Sequence, residues 1–435
     1  MAEGAQAGLE RVHCRELEPL APVGRSLKVY LRTYGCRANQ YDSEQVRALV
    51  LVSGGVMVDD PSEADTAIFN SCAVTGEAEV ELRKDIRGVA RRNSSLRTVV
   101  MGCAASLDRG LIASLPTVAD VVPGGDAHRM ARVLGLSRPA HPATGQHGTR
   151  ALLRIQDGCD EHCTFCATTL ARGSSRSRPA TDLVAEARSL AERHPEIVLT
   201  GIHIGTWGRD LGDTLGSLVA RLVREVPGAR FRLTSVEATE VDDTLRGLLR
   251  ESPGLAPHLH APLQSGSDRV LRRMGRHWYS AAEYARAVEK VVRDLPVFGL
   301  GADVIAGFPG ETESENRETV ALIRALPFTY LHVFPYSVRP GTAATRLPGT
   351  VERNLVRERA AELRSLGGEL ARGYAKRRAG GAADVVVVRG ERREGLSEDY
   401  LQVELAGPPL PRGSRFTAQL AMRGDRLVAT PTLIP

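Results

Sequence analysis

Hydrophobic and polar positions along the first third of the chain follow two periods, one typical of strands and one typical of helices. Short apolar runs predict strands at 26–34, 64–70, 96–101 and 120–124. Amphipathic segments predict helices at 42–54 and 75–92. Strands that alternate with helices favour a parallel sheet with helices on both faces, so we predict an N-terminal flavodoxin-like α/β domain over 26–136.

The same alternation restarts after a polar stretch at 137–150, whose Pro and Gly residues are typical of a linker. Six further strands are predicted at 152–156, 196–201, 230–235, 258–263, 301–307 and 330–336. Helices are predicted between them at 181–194, 214–226 and 280–295. Six strand–helix units are two short of a closed eight-stranded barrel, so we predict an open, partial (β/α)6 barrel over 150–370.

The end of the chain changes character again. A long basic segment at 350–378 predicts a helix, and the short apolar segments after it are separated by turns that contain Gly and Pro. This pattern favours a small β-barrel over 379–435.

Length and composition agree with a multidomain globular protein. The chain has 435 residues, 42% of them hydrophobic and 25% charged, so disorder is not expected over most of its length. The N-terminal stretch lacks the apolar core of a signal peptide, and no run approaches the roughly 18 apolar residues that span a bilayer. We therefore expect a cytoplasmic protein with no membrane partner. The net charge of +5 is compatible with a nucleic-acid partner and equally with none.

The seven cysteines point to metal or redox chemistry. Their odd number, in a chain without a secretion signal, argues against a disulfide framework. Cys36, Cys72 and Cys103 each follow the carboxyl end of a predicted strand, the edge at which open α/β sheets bind ligands. Any one of them could be a small buried hydrophobe, but three equivalent positions favour a shared site. Cys14 is assigned no role.

Three more cysteines share one loop, "DGCDEHCTFC", which places Cys159, Cys163 and Cys166 in a CxxxCxxC spacing. Four thiolates saturate a tetrahedral zinc ion or a cubane iron–sulfur cluster, so three leave one metal position open for a small molecule. We expect His162, inside the loop, to face solvent. A zinc knuckle is the alternative interpretation.

This spacing, after the first strand of a partial barrel, resembles the radical S-adenosylmethionine superfamily. The resemblance implies that the three cysteines hold a [4Fe-4S] cluster whose open iron binds the methionine part of S-adenosylmethionine. An electron from the cluster then produces a 5′-deoxyadenosyl radical. Phe165 occupies the aromatic position that packs near adenine in that superfamily.

Residues at the carboxyl ends of later barrel strands fit the same cofactor. Each of these motifs alone is more often a turn or a solvated loop, and it is their succession at strand ends that supports the interpretation. The expected S-adenosylmethionine contacts are Gly201, Ser235, Glu237, Gln264, Asp303 and Gly307. Gly201 would allow close approach of the backbone.

Two sets of three cysteines narrow the resemblance to the methylthiotransferases, over nearly the whole chain. The strings "GCRANQYDSE", "CAVTGEAE", "RGSSRSRP", "PLQSGSDRVLRRMGR", "GFPGETE" and "HVFPYSVRPGTAA" are most similar to the threonylcarbamoyladenosine tRNA methylthiotransferases. That branch converts the modified adenosine beside the anticodon to its 2-methylthio form. The resemblance implies a second, auxiliary [4Fe-4S] cluster at Cys36, Cys72 and Cys103 that carries or donates sulfur.

The resemblance also implies partners. The substrate would be a tRNA anticodon loop, and we expect Arg172, Arg176 and Arg178 to contact its phosphates and bases, although a solvated basic turn is the plainer alternative. The β-rich tail resembles a TRAM domain, a small RNA-binding barrel, with an accessory role as the alternative. The reductant would be an electron donor such as flavodoxin or ferredoxin.

Two alternatives remain open at this point. A methylthiotransferase could act on isopentenyladenosine in tRNA or on a ribosomal-protein aspartate with the same machinery. A non-catalytic iron–sulfur RNA-binding protein is a more distant alternative. The chain also departs from the family pattern at Thr169 and Leu170, where Pro and Tyr are usual, and this puts in doubt the contacts those side chains make.

Overall fold

The computed structural model of the chain describes residues 26–73, 76–136 and 145–432. Cys14 therefore lies outside the described residues. Three bodies follow one another along the chain, and each is built from the type of element that its sequence pattern predicts.

The first body is a parallel sheet covered by helices on both faces. Its strands are β1 (Lys28–Thr33), β2 (Val56–Val58), β3 (Thr66–Ser71), β4 (Arg97–Gly102) and β5 (Val118–Pro123). Its helices are α1 (Arg37–Val52), α2 (Gly76–Arg92), α3 (Cys103–Ser106) and α4 (Ala127–Leu134). The strand order is β2-β1-β3-β4-β5 and every pairing is parallel. One apolar core joins α1 and α4 to the sheet, and a separate core joins α2 to it.

The second body is the predicted partial barrel. Its parallel strands are β6 (Ala151–Arg154), β9 (Glu196–Thr200), β10 (Arg230–Leu233), β11 (His258–His260), β12 (Gly299–Ala306) and β13 (Tyr330–Pro335), and a small antiparallel pair is formed by β7 (Gln156–Asp157) and β8 (Arg176–Ser177). Its helices are α5 (Thr168–Arg172), α6 (Ala180–Ala191), α7 (Leu215–Glu225), α8 (Asp243–Glu251), α9 (Asp268–Arg273), α10 (Ala281–Val292), α11 (Glu313–Ala325) and α12 (Arg353–Arg378).

The barrel strands form two sheets, β10-β9-β6 and β11-β12-β13, joined by a parallel bridge between Ser235 and His260. Among the described residues no pairing joins β6 to β13, so the barrel is open on that side. The side chains of Phe231 and Leu233 in β10 pack into the main core with the surrounding helices. Arg230 and Arg232 alternate with them and therefore lie on the inner face.

The third body is a closed five-stranded barrel at the end of the chain. Its strands are β14 (Ala382–Arg389), β15 (Glu394–Ser397), β16 (Gln402–Leu405), β17 (Arg415–Arg423) and β18 (Arg426–Pro431), in the order β14-β15-β16-β18-β17. This small barrel lies at the amino ends of β9 and β10. Arg232 donates hydrogen bonds to the carbonyl oxygens of Ser397 and Glu398, at 3.0 and 2.9 Å.

The α/β class, the parallel N-terminal sheet, the partial barrel and the C-terminal barrel are confirmed. In the described residues, no helix is both long enough and apolar enough to cross a membrane.

Candidate functional site

The first three cysteines meet at one edge of the N-terminal sheet. Cys36 follows β1 and precedes α1, Cys72 follows β3, and Cys103 is the first residue of α3 after β4. A glycine makes this meeting possible. Gly35 has φ of 94°, and a Cβ there would lie 2.4 Å from the Sγ of Cys72. The sequence prediction that these cysteines share one edge is confirmed by their positions.

Two buried asparagines hold the loops that carry this first triad. The side-chain amide of Asn39 donates to the Oδ1 of Asn70 at 2.9 Å and to the carbonyl oxygen of Ser71 at 3.0 Å. Asn70 donates in return to the carbonyl oxygen of Asn39 at 2.7 Å. Both side chains are fully buried, so these bonds replace all their hydration and rigidify the chain on either side of Cys72.

Cys103 is buried and has a cationic partner from the second body. Its Sγ accepts a hydrogen bond from the Nε of Arg172 at 3.2 Å. Burial raises the pKa of the Cys103 thiol to about 11, although Arg172 acts in the opposite direction. Because metal binding deprotonates a thiol, the guanidinium is placed to stabilise the resulting thiolate.

The second triad lies on the loop between β7 and α5, at the mouth of the partial barrel. Backbone bonds fix this loop: the N–H of Cys159 donates to the Gly173 carbonyl at 3.0 Å, and the N–H of Thr164 donates to the Met274 carbonyl at 2.8 Å. His162 is exposed, as predicted. Cys159, Cys163 and Cys166 are each partly exposed, so small molecules have access to them.

Charged side chains also surround the second triad. Arg276 donates to the Sγ of Cys163 at 3.6 Å, and the Nδ1 of His203 lies 3.7 Å from the Sγ of Cys159. Burial would lower the pKa of His203, but its bonds to Cys159 and Glu240 outweigh this effect and raise the pKa to about 10. Burial raises the pKa of Cys163 to about 12, against the effect of Arg276.

The spacing of the thiols separates an iron–sulfur cluster from a zinc ion. Among the described residues, neither triad has its three sulfur atoms within 4.8 Å of one another. A tetrahedral zinc ion, with Zn–S bonds of about 2.3 Å, would hold its sulfur ligands roughly 3.8 Å apart. The donor set and its spread therefore fit a larger, polynuclear group better than a single ion.

The predicted S-adenosylmethionine residues follow successive barrel strands. Gly201 follows β9, Ser235 and Glu237 follow β10, Gln264 follows β11 and Gly307 follows β12. Phe165, in the cysteine loop, packs edge-on against Phe308, with ring centroids 6.3 Å apart. The structure thus gathers these residues on the side of the barrel that carries the second triad.

Three of these residues are already occupied by protein contacts. The carboxylate of Glu237 is bonded to both Arg276 and the indole N–H of Trp278. A Cβ on Gly201 would lie 2.6 Å from the carbonyl oxygen of Gln156, so close packing of two strands already requires glycine there. Gly307 has φ of 75° and faces Val356 of α12. A cofactor contact by any of them stays a prediction.

Asp303 lies inside the barrel in a group that the sequence did not reveal. Its Oδ1 lies 2.9 Å from the Nε2 of His260 and 3.3 Å from the Nδ1 of His332. Burial would raise the pKa of Asp303, but the two imidazoles outweigh this effect and lower it. The Nδ1 of His260 also lies 3.1 Å from the hydroxyl of Tyr330. The alternation of β11, β12 and β13 would have predicted a shared face, but not these contacts.

The three arginines after the cysteine loop differ in position, and this corrects one expectation. The side chain of Arg172 is 2% exposed and is enclosed by Asp42, Asp157 and Cys103, which leaves none of it available to RNA. Burial would lower its pKa, but these partners outweigh burial and raise it, so it stays cationic. Arg178 is partly buried and paired with Glu186 at 2.7 Å. Only Arg176 is exposed.

A large cavity of about 1610 Å³ lies where the three bodies meet, beside the open edge of the barrel. His332 and Tyr330 of β13 line it, together with Leu152 of β6. Its basic lining residues are Arg37, Arg47, Arg150, Arg372, Lys376, Arg389, Arg392, Arg393, Arg412 and Arg426. Its acidic lining residues are Glu44, Glu394, Glu404 and Asp425. This excess of cations suits a polyanionic ligand.

Two family models match the chain. The model described as "Uncharacterized protein family UPF0004" matches residues 28–124, and the model of the Radical SAM superfamily matches residues 153–323. The first match covers the sheet with Cys36, Cys72 and Cys103, and the second begins just before the loop with Cys159, Cys163 and Cys166.

Three curated relatives are similar over most of their length, and each is named threonylcarbamoyladenosine tRNA methylthiotransferase MtaB. The protein from Thermotoga maritima is 35% identical over 402 residues, 87% of this chain and 91% of the relative. The protein from Bacillus subtilis is 36% identical over 80% of this chain and 82% of the relative. The protein from Rickettsia prowazekii is 34% identical over 91% and 95%.

Among solved structures, the radical S-adenosylmethionine methyltransferase TsrM from Kitasatospora setae, with cobalamin and a [4Fe-4S] cluster bound, has a similar fold. The TM-score is 0.55 at 16% identity, and the match covers 74% of this chain and 77% of that one. At this identity the likeness concerns the fold alone.

Proposed function

This chain belongs to the threonylcarbamoyladenosine tRNA methylthiotransferase family, and from that premise we propose that it inserts a methylthio group at C2 of N6-threonylcarbamoyladenosine beside the anticodon. It is a radical S-adenosylmethionine enzyme that uses two [4Fe-4S] clusters and S-adenosylmethionine. The observation that carries the proposal is the presence of two three-cysteine sites on adjoining bodies, with Cys103 of the first in contact with Arg172 of the second.

The chain's own residues divide into two holding sites. Cys36, Cys72 and Cys103 would hold the auxiliary cluster, and Cys159, Cys163 and Cys166 would hold the cluster that binds S-adenosylmethionine. When bound, these groups supply one-electron chemistry that activates an aromatic C–H bond, which no side-chain base can deprotonate. Arg172 and Arg276 stabilise the thiolate form of Cys103 and Cys163 through hydrogen bonds to sulfur.

The cofactor contacts follow from the strand ends. Phe165, Ser235 and Gln264 are our candidates for binding S-adenosylmethionine, because they lie at the carboxyl side of the barrel beside the second triad. Gln264 has φ of 63°, a strained value for a residue other than glycine, and its backbone is bonded to Asp303 and Ile305. Backbone strain of this kind is concentrated at functional sites.

The basic cavity supports an anticodon loop as the part of tRNA that binds. Arg372 and Lys376 of α12 are exposed on one wall, and Arg392, Arg393 and Arg426 of the C-terminal barrel line another. Single-stranded RNA loops are held by phosphate contacts to such side chains. The cavity also reaches His332, so a base that enters from it comes to the inner face of the barrel.

We also infer a one-electron donor such as flavodoxin or ferredoxin.

Mass spectrometry of tRNA nucleosides tests the proposal. A strain that lacks the gene should lose 2-methylthio-N6-threonylcarbamoyladenosine and accumulate the unmethylthiolated nucleoside. A plasmid copy should restore the product, while the Cys159→Ala copy should not. If the product persists in the deletion strain, the substrate assignment is wrong. Loss of 2-methylthio-isopentenyladenosine, or of a methylthio group on a ribosomal-protein aspartate, would favour the alternative substrates.

A further inference from the structure

One short helix contacts a cysteine of each triad. The backbone N–H of Thr168, at the start of α5, donates to the Sγ of Cys166 at 3.3 Å. Arg172, at the end of the same helix, donates from Nε to the Sγ of Cys103 at 3.2 Å. Five helical residues rise only about 7.5 Å. The helix therefore links a ligand of the second site to a ligand of the first over a short and rigid path.

Arg172 is held by two carboxylates as well as by the thiol. Its Nη2 donates to Asp42 of α1 at 2.8 Å, and its Nη1 donates to Asp157 of β7 at 3.1 Å. Asp42 belongs to the first body and Asp157 to the second. All three guanidinium nitrogens are thus engaged, and the planar group has a single orientation.

Asp42 is itself fixed in place. Its side chain has no exposed surface, and its second carboxylate oxygen is bonded to Arg154 of β6. Gly125 makes room for it, because a Cβ at that position would lie 2.1 Å from the Asp42 carboxyl carbon. Each oxygen of the Asp42 carboxylate is thus paired with a guanidinium group, Oδ1 with Arg154 and Oδ2 with Arg172.

The surroundings of Arg172 exclude water. Cys103 packs with Ala73 and Ala167 in a small apolar cluster that spans both bodies, and Leu107 and Ala171 lie against it. In such a low-dielectric environment a charge acts more strongly on its neighbours than it does in water.

We propose that the positive charge of Arg172 raises the reduction potential of the auxiliary cluster at Cys36, Cys72 and Cys103, and that the negative charge of Asp42 lowers it. This inference rests on the proposed function for the presence of that cluster. Reduction adds one electron and one negative charge to the cluster. A cation bonded to a ligand sulfur stabilises the reduced form, whereas a neighbouring anion stabilises the oxidised form. Arg172 therefore does more than join the two bodies.

The test measures the potential of the auxiliary cluster alone. In the full-length chain, Cys159→Ala, Cys163→Ala and Cys166→Ala together remove the second site, and the protein is reconstituted with iron and sulfide without oxygen. Redox titration with dithionite, followed by electron paramagnetic resonance, gives the midpoint potential. In this parent, Arg172→Gln should shift the potential to a more negative value, and Asp42→Asn should shift it to a more positive value. Arg172→Lys, which keeps the charge, should restore part of the loss.

Arg176→Gln is the matched control. Arg176 lies four residues further along and is exposed, and the hydrogen bonds that the structure gives its guanidinium go to the carbonyl oxygens of Ser174 and Arg172, not to a cysteine. Its potential should equal that of the parent. If Arg172→Gln binds iron like the parent but leaves the potential unchanged, the inference is wrong and Arg172 serves only to join the bodies. If Arg172→Gln does not assemble a cluster, the midpoint potentials of Arg172→Lys and Asp42→Asn are compared with that of the parent. If both variants shift the potential in the same direction, the inference is wrong. If the parent itself binds no iron, the assignment of an auxiliary cluster to Cys36, Cys72 and Cys103 is wrong, and so is the inference about Arg172.

Discussion

The Oε1 of Glu196 accepts a hydrogen bond from the Nε of Arg232 at 2.8 Å, and both side chains are completely buried. Arg230 donates from Nε to the Oε2 of the same carboxylate at 2.7 Å, and Arg150 donates from Nη1 to its Oε1 at 3.2 Å. One carboxylate thus faces three guanidinium groups. Arg230 and Arg232 also bind backbone carbonyl groups of the C-terminal barrel, so this cluster joins the two barrels.

Replacement of Glu196 by Gln should destabilise the protein strongly. The substitution keeps the shape of the side chain but removes the negative charge that Arg150, Arg230 and Arg232 share. Breaking a buried pair by removing one partner costs about 3–5 kcal/mol. Urea unfolding of the full chain should show this loss. Glu404→Gln, which removes an exposed pair with Arg426, should cost less than about 1 kcal/mol, and similar losses in the two variants would contradict the assignment.

The contribution of Glu196 should also depend on pH. Its pKa lies well below the usual value of 4.5, because Arg232 and Arg230 outweigh the effect of burial. A lowered pKa in the folded state means that the stabilisation is fully present above about pH 4.5 and is lost as pH falls through the folded-state value. The difference in unfolding free energy between the wild type and Glu196→Gln should therefore be constant near neutral pH and shrink in acid. A difference that grows in acid would refute this reading.

Gly35→Ala should disrupt the auxiliary site alone. The added Cβ would lie 2.4 Å from the Sγ of Cys72, at a residue whose φ of 94° also disfavours a side chain. We expect the reconstituted protein to lose roughly half of its iron while it keeps the cluster at Cys159, Cys163 and Cys166. Iron analysis measures the loss. Gly54→Ala is the matched control, because Gly54 has a similar φ of 79° and an added Cβ would meet no atom of the described residues within 4 Å.

The two cysteine sites should have separable roles. Cys36→Ala should still form 5′-deoxyadenosine from S-adenosylmethionine and dithionite but should not methylthiolate tRNA. Cys163→Ala should lose both reactions, because its cysteine belongs to the site that binds S-adenosylmethionine. Chromatography of the nucleosides in an anaerobic assay measures both products. Full methylthiolation by Cys36→Ala would remove the first triad from the reaction.

The basic cavity should bind the anticodon loop through its phosphates. The double variant Arg372→Gln, Lys376→Gln should bind an anticodon stem-loop more weakly, and the slope of log affinity against log salt should become shallower by about 1 to 2. Fluorescence anisotropy of a labelled stem-loop measures both quantities. Arg188→Gln with Arg224→Gln is the control, since both residues lie on the outer helices α6 and α7 and pair with Glu225. An equal effect of the two double variants would place the RNA elsewhere.

The local pattern of apolar and polar residues was sufficient to predict the strands and helices that bury apolar side chains. The runs at 64–70 and 96–101 became β3 and β4, because a strand covered on both faces carries consecutive apolar residues, here AIF and VVM. The spacing of Cys159, Cys163 and Cys166 was readable for a similar reason, since all three lie on one loop. The short helix α5 and the paired strands β7 and β8 were missed, because elements of two to five residues are too short to show a period.

The charged contacts could not be predicted in the same way. Arg172 was expected to bind RNA, because a basic turn at a barrel mouth is usually exposed, yet its partner Asp42 lies 130 residues away in another body. Asp303 was expected to bind a cofactor, and that contact stays a prediction. Its contacts with His260 and His332, from the two neighbouring strands, could not be predicted from the sequence.

The sequence by itself thus determined the three bodies, their order and the two sets of cysteines, because periodicity and ligand spacing are local properties of the chain. Only the tertiary structure decided how close the two sets lie and which charges face them. The distance between the two cysteine sets depends on how the separate bodies pack. A single carboxylate such as Asp42 meets its partners Arg154 and Arg172 only when the first body packs against the second.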